Sequence, residues 1–154
     1  MIEIRPALFP EDIPAVRAVF REYIGSVSVN LEFQDYETEL AGLPGNYLPP
    51  DGRLMLAWNG GKVVGCVALR RIDEITCEMK RVYVTPQARG EKLGRRLVEI
   101  ILDEARAAGY ARICLDVLPE FTAAKWLYRS LGFQPAPAVT FNPVPGTEFL
   151  ALDL

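Results

Sequence analysis

Residues 78–96, EMKRVYVTPQARGEKLGRR, hold the pattern that decides the fold. An apolar run at 82–84 ends at a Thr-Pro pair and is followed by a short polar loop. Apolar residues then recur at helical spacing, from Leu93 to the stretch before Gly109. This pattern predicts a strand, a tight loop and a helix over residues 92–108, which Gly109 would close.

The start of that predicted helix is unusually basic. Arg89, Lys92, Arg95 and Arg96 gather there, although a helix N-terminus carries partial positive charge and usually attracts acids. Each cation costs a few tenths of a kcal/mol in this place. An anion lying between the backbone N–H groups and the basic side chains would remove that cost, as phosphates do at other helix starts. The sequence therefore predicts a pyrophosphate site, and a solvated helix face is the simpler alternative.

Composition narrows the function classes. Lys and Arg number 17 and Asp and Glu 20 in 154 residues, for a net charge of −3, so we expect no nucleic-acid partner. No apolar run approaches the ~20 residues of a membrane span, and no signal-peptide pattern opens the chain. The three cysteines lack a CxxC pair, and there is no histidine. We expect one domain over 1–154 with reduced thiols, in the cytoplasm, with no metal and no Ser-His or Cys-His nucleophile.

The remaining patterns give the order of elements as β-α-α-β-β-β-α-β-α-β-β. Strands are predicted at 2–5, 53–58, 62–71, 75–84, 110–117 and 147–152, and helices from 10–12 to 27, more weakly over 33–43, and over 92–108 and 122–131. The order indicates an α/β (α+β) fold with a mixed, mostly antiparallel sheet of six to seven strands. One parallel βαβ pair and helices on both faces complete it. A crevice is expected where the parallel strands end.

Two motifs connect this order to a known family. The loop Arg89-Gly90-Glu91-Lys92-Leu93-Gly94 resembles the acetyl-CoA loop of GNAT-type N-acetyltransferases, whose pattern is Q/R-x-x-G-x-G/A after a strand. The run at 127–133, LYRSLGF, is similar to the family's LY-x-x-x-GF helix end. Their spacing and the strand between them also fit. The resemblance follows nearly the whole chain in element order and is most specific over 78–133.

The resemblance implies a site for acetyl-CoA as co-substrate. The backbone groups of Val82, Tyr83 and Val84 would pair with the pantetheine amides, as an added strand would. The N–H groups from Arg89 through Arg95 would hold the pyrophosphate: Arg89, Gly90, Glu91, Lys92, Leu93, Gly94 and Arg95. Ala123 and Ala124 would leave room for the pantetheine, with Leu127 packed near it. Tyr128 would point its hydroxyl at the thioester sulfur.

Two positions depart from the family pattern. Lys92 stands where the family has a glycine, and a negative φ there would let lysine fit without cost. Phe121 stands where the family often has an asparagine that contacts the pantetheine, and a phenyl ring cannot make that hydrogen bond.

Acetyl transfer to an amine needs a proton acceptor and a donor for the leaving thiolate. Glu78 is the candidate base, because strand alternation predicts that it shares a face with Lys80 and Val82 if no bulge intervenes. A surface carboxylate paired with Lys80 or Arg81 is the alternative. Tyr128 is the candidate acid, and a core tyrosine is the alternative.

The predicted function is transfer of an acetyl group from acetyl-CoA to a primary amine of a small molecule or protein, by direct attack in a ternary complex. A non-catalytic acyl-CoA-binding or sensor domain is the alternative. A generic nucleotide-binding domain is weaker, because the GxxxxGK[ST] and GxGxxG patterns are absent. We expect a monomer or homodimer without a membrane partner. Candidates for lining the acceptor pocket are aromatic: Tyr23, Phe33, Tyr36, Tyr47 and Phe141.

Overall fold

The computed structural model of the protein describes residues 1–31 and 34–154, and within them the predicted order of elements is confirmed. The strands are β1 (Ile2–Pro6), β2 (Arg53–Asn59), β3 (Lys62–Arg71), β4 (Thr76–Val84), β5 (Arg112–Val117), β6 (Gln134–Pro135) and β7 (Glu148–Asp153). The helices are α1 (Ile13–Ser26), α2 (Tyr36–Ala41), α3 (Leu93–Ala107) and α4 (Thr122–Ser130). Phe33, at the start of the weaker helical pattern, lies outside the described residues. Among the helices described, none combines the length and the hydropathy of a membrane span.

The strands form one mixed sheet in the order β1-β2-β3-β4-β5-β7-β6. Only β4 and β5 run parallel in the described ladders, and the other neighbours are antiparallel. The predicted sheet, with its single parallel pair, is therefore confirmed. The parallel pair exists because α3 carries the chain from the end of β4 back to the start of β5.

Helices cover the two faces of the sheet and build two apolar cores. On the α1 face, Val16, Phe20 and Leu40 pack against strand residues such as Leu56. On the α3 face, the apolar stripe predicted from the sequence is buried: Leu93, Leu97, Ile101 and Ala105 are at most 1% exposed. This burial on both faces holds the sheet between its helices and fixes where the ends of β4 and β5 lie.

A β-bulge in β4 changes which side chains share a face. Cys66 pairs with Tyr83 and Ala68 with Lys80, so two residues of β4 face one residue of β3. Arg81 lies in the bulge with φ 59°, a conformation that non-glycine residues seldom adopt.

The bulge reverses the alternation along the strand. Met79 and Val82 consequently pack in the same core, that of the α3 face. The prediction that Glu78, Lys80 and Val82 share one face is therefore wrong for Val82. Glu78 and Lys80 point to the α1 face.

The strands β4 and β5 separate soon after they pair. The parallel ladder joins Thr76 to Arg112, Cys77 to Ile113 and Glu78 to Cys114, and it goes no further. Beyond that point each strand continues, to Val84 and Val117. The separation leaves a gap in the sheet at the carboxyl ends of the parallel strands, where the crevice was predicted.

Candidate active site

A cavity of about 510 Å³, called the first cavity below, occupies the gap between β4 and β5. Its walls come from both layers of the fold, since Tyr23 belongs to α1 and Tyr128 to α4. Nine of the predicted site residues line it: Val82, Tyr83, Val84, Arg89, Gly94, Ala123, Ala124, Leu127 and Tyr128. The chain thus brings together the strand end, the loop and the α4 helix that the sequence analysis assigned to one ligand.

The loop before α3 has free backbone donors at one end of this cavity. Within the described residues, no backbone or side-chain oxygen accepts a hydrogen bond from the N–H groups of residues 90–95. The first amide to find an intrachain acceptor is that of Arg96, which donates to the carbonyl of Lys92 at 3.1 Å. Successive unpaired N–H groups at a helix start are the donors that phosphate oxygens accept from. The donor set fits a diphosphate.

Two of the basic side chains frame this loop. The Arg89 Nε donates to the Val84 carbonyl at 3.1 Å, which holds the guanidinium beside the strand end. Arg95 donates to the Ser130 hydroxyl at 3.2 Å and so lies between α3 and α4. Arg96 instead turns away, with Nη2 3.5 Å from the Ile2 carbonyl of β1. The cluster that faces the loop is therefore smaller than the sequence suggested.

Lys92 adopts a left-handed backbone conformation, which glycine tolerates best. Its φ is 57° and its ψ is 26°, in the left-handed region, so the condition of a negative φ is not met. A side chain here costs on the order of 1 kcal/mol relative to the right-handed conformation. Lys92 therefore bears backbone strain at the helix start.

Tyr128 is buried beside the first cavity, with 6% of its surface exposed. Its ring lies 5.7 Å from that of Phe133, which holds the phenol in place. Among the residues that the structure describes, no group accepts a hydrogen bond from its hydroxyl. Burial, with smaller contributions from Tyr23 and Asp116, raises the pKa of Tyr128 above the usual ~10. The phenol therefore keeps its proton throughout the neutral range.

The side chains of some other residues assigned to the co-substrate site do not offer it polar groups. The Tyr83 side chain points to the α1 face, where its hydroxyl donates to Glu22 at 2.7 Å. The hydrogen bonds that Tyr83 could make to a ligand lying along β4 are therefore those of its backbone. Leu93 is 1% exposed and belongs to the core, which leaves its N–H as its only available donor. Phe121 lines the first cavity and offers an apolar surface there.

A second cavity of about 450 Å³ adjoins the first on the α1 face. The two cavities share wall residues Gln34, Lys80 and Asp116. Tyr47 and Phe141, two of the aromatic acceptor-pocket candidates, line the second cavity, whereas Tyr23 lines the first.

Glu78 lies one layer behind the wall of the second cavity and is 1% exposed. Its Oε1 accepts a hydrogen bond from Arg70 Nε at 2.8 Å, and its Oε2 accepts one from the Thr140 hydroxyl at 3.2 Å. Arg70 and Thr140 themselves line the second cavity. A proton from an amine in the cavity would have to reach Glu78 through the Thr140 hydroxyl or through water.

Three polar side chains that the sequence analysis did not assign to the site also lie here. Arg81 is buried, 3.0 Å from the Glu39 carboxylate and 2.6 Å from the Gln34 amide oxygen. Lys80 is half-buried, and that burial lowers its pKa. Asp116 comes from β5, where a charged residue inside the run YARICLDV was a signal that could have indicated it.

The three cysteines are expected not to react with a thiol reagent in the native protein. Cys66 and Cys77 are 0% exposed and Cys114 is 3% exposed, and burial raises the pKa of each thiol to about 12. A buried thiol with so little thiolate at pH 8 does not react. Titration with a disulfide reagent should find less than ~0.1 thiol per chain before denaturant and three after it. Fast reaction of a native thiol would contradict this packing.

Comparison with known proteins agrees with the geometry. Residues 50–135 match the family described as the acetyltransferase (GNAT) domain. An uncharacterized N-acetyltransferase of Schizosaccharomyces pombe is 34% identical over 99% of this chain and 95% of its own. An acetyltransferase from Streptococcus agalactiae has the same fold, with a TM-score of 0.81 at 24% identity over 99% of this chain and 98% of the other.

A GNAT family acetyltransferase from Elizabethkingia anophelis, solved with acetyl-CoA bound, superposes with a TM-score of 0.69 at 19% identity. The alignment covers 99% of this chain and 98% of that one. The shared fold, the family match and the related N-acetyltransferase sequence confirm the resemblance seen in the sequence. The chain belongs to the GNAT family of acetyltransferases.

Proposed function

We propose that the protein transfers the acetyl group of acetyl-CoA to a primary amine of a small molecule or a protein, by direct attack in a ternary complex. The observation that supports this most is the gap between β4 and β5. It connects unpaired N–H donors at one end with a protonated phenol at Tyr128 and with a polar cavity on the α1 face.

The residues predicted for the co-substrate have the chemistry that its parts require. The N–H groups of residues 90–95, with Arg89 and Arg95 beside them, suit the diphosphate. The backbone of β4 over 82–84 borders the gap and suits the pantetheine amides. The small side chains of Ala123 and Ala124 leave the opposite wall open. Bound acetyl-CoA would supply the activated acetyl group.

Side chains of the protein must then accept a proton from the amine and stabilise the leaving sulfur. An ordinary lysine-like amine, with a pKa of ~10.4, costs roughly 4.6 kcal/mol to deprotonate at pH 7. Binding in a cavity reduces that cost, because desolvation of the amine disfavours its charged form. Glu78 is proposed as the acceptor of the proton, by way of the Thr140 hydroxyl or water. Tyr128 is proposed to donate a hydrogen bond to the sulfur as negative charge develops on it.

A panel of amines with acetyl-CoA tests the proposed function, with release of the coenzyme thiol as the readout. The buried cysteines should keep the background low. Amine-dependent release and a product heavier by one acetyl group would support the enzyme. Tight coenzyme binding without release for any amine would favour the alternative, a non-catalytic acyl-CoA-binding or sensor domain.

Replacing the predicted base should slow the reaction without weakening coenzyme binding. Glu78→Gln is expected to lower kcat by about 10- to 100-fold, because general-base assistance is lost. The measurement is steady-state thiol release alongside the coenzyme Kd. The matched control is Glu104→Gln, a glutamate paired with Arg53 at 3.3 Å and outside both cavities, which should keep kcat. An unchanged kcat in Glu78→Gln would remove this carboxylate from the proton path.

The acceptor is proposed to be an amine of a small molecule or of a protein, and the chain is proposed to be a monomer or a homodimer. The free thiols are consistent with the proposed cytoplasmic location.

A further inference from the structure

Lys80 and Asp116 both lie in the wall that the two cavities share. Lys80 belongs to β4 and Asp116 to β5, so they flank the gap between these strands where it adjoins the second cavity. Both are half-buried. In the part of the chain that the structure describes, neither makes an ion pair, and Asp116 accepts one hydrogen bond, from Asn142 at 2.9 Å.

The other buried charges near this wall already have partners. Arg81 is paired with Glu39 at 3.0 Å, and Arg70 with Glu78 at 2.8 Å. The carboxylates of Asp35 and Glu120 also border the cavities, but both residues are exposed, so water solvates them. In the part of the chain that the structure describes, one cation and one anion of the half-buried wall are therefore left without an ion pair, and Lys80 has only the longer-range attraction of Glu78 and Asp116.

Half-buried charges without partners gain most from a ligand that supplies both opposite charges. A simple amine would satisfy Asp116 and leave Lys80 unpaired, and would also be repelled by it. An amine that carries a carboxylate satisfies both. Resting on the proposed acetyl transfer, we propose that the acceptor is a free amino acid, with its ammonium group at Asp116 and its carboxylate at Lys80.

The reaction balances for this acceptor. The amino nitrogen, after losing one proton, forms a bond to the acetyl carbonyl carbon, and the carbon–sulfur bond breaks. The sulfur leaves as a thiolate and takes up a proton, and a second amine proton passes to solvent. The product is an N-acetyl amino acid. Because its nitrogen is no longer charged, it loses the attraction of Asp116, which favours its release.

The test compares amino acids with the amines made by removing their carboxylates. Suitable pairs are phenylalanine with phenethylamine, leucine with isoamylamine, and lysine with 1,5-diaminopentane. The full chain is assayed with acetyl-CoA, and kcat/KM is measured by thiol release. For at least one pair we expect the amino acid to be preferred by about 10- to 100-fold, the range for a hydrogen-bonded charge.

Variants assign the preference to its residue. Lys80→Gln should bring the ratio of the two kcat/KM values to within about 3-fold of unity. Lys62→Gln, an exposed lysine at the start of β3, makes the same charge change and should leave the ratio as it was. Asp116→Asn should lower kcat/KM for both members of a pair by about 10-fold. Melting temperature and coenzyme Kd verify that each variant is folded.

The outcomes separate this inference from the proposed function. Acetylation of the decarboxylated amines as well as, or better than, every amino acid overturns the inference and leaves the proposed function intact. A preference that survives in Lys80→Gln also overturns it. If coenzyme binds but no amine and no amino acid is acetylated, the proposed function fails and the inference fails with it.

Discussion

Tyr128→Phe is expected to lower kcat by about 10- to 100-fold while leaving the affinity for coenzyme A unchanged. The phenol is buried at the first cavity, and burial raises its pKa, so it is a protonated donor at neutral pH. Phenylalanine keeps the packing against Phe133 and removes only the hydroxyl. Because the raised pKa keeps the phenol protonated, this group should cause no loss of activity as pH rises from 7 to 9. Steady-state thiol release and a coenzyme titration supply the two measurements.

Tyr110→Phe is the matched control for that variant. Its hydroxyl is also buried but donates to the Asp51 carbonyl at 2.7 Å, away from both cavities. Losing it should lower the free energy of unfolding by about 1 kcal/mol and leave kcat as it is. Equal kcat values for Tyr128→Phe and the unaltered protein would exclude the phenol from the mechanism and leave it the role of a core tyrosine.

Reversing the charge of the two arginines at the loop is expected to weaken coenzyme binding strongly. Arg89→Glu combined with Arg95→Glu makes these two side chains repel a diphosphate bound at the N–H groups of residues 90–95, where the arginines attracted it. We expect the Kd for coenzyme A to rise by about 100-fold, on the order of 2.7 kcal/mol. The effect should shrink as salt increases, because both side chains are exposed.

Two comparisons show whether the diphosphate is the group that these arginines contact. Arg96→Glu reverses a charge on the same helix, but its guanidinium lies near the Ile2 carbonyl of β1, so the Kd should change by less than about 3-fold. The double variant should also lose far less activity with acetylpantetheine, a donor that lacks the diphosphate. Unaltered coenzyme affinity in the double variant would refute the anion site.

The order of elements could be predicted because its signals are local. Helix α3 has a buried apolar residue at every fourth position from Leu93, and the hairpin of β2 and β3 has its turn at Asn59-Gly60. Each pattern needs only a few neighbouring residues to specify a conformation. The differences at element ends, such as Arg112 instead of Tyr110 at the start of β5, are the usual fraying of such boundaries.

The candidate site was predicted only in part. The residues around the loop and on α4 could be assigned because the motif itself contains them, and the structure places them at one cavity. The face of Val82 could not be predicted, because it depends on the bulge at Arg81. Local alternation contains no sign of one extra residue in a strand. The positive φ of Lys92 was likewise set by the path of the loop, against the preference of the side chain.

The sequence by itself determined the α/β order, the basic helix start after β4 and the resemblance to the GNAT family, since these follow from periodicity and spacing within short segments. Only the tertiary structure decided that β4 and β5 part after Glu78 and Cys114, that Glu78 lies behind the cavity wall, and that Lys80 and Asp116 lie in the wall that the two cavities share. Those facts arise from strand register and from packing between segments far apart in the chain. No local pattern contains them, because the free energies that decide them belong to contacts formed only in the folded protein.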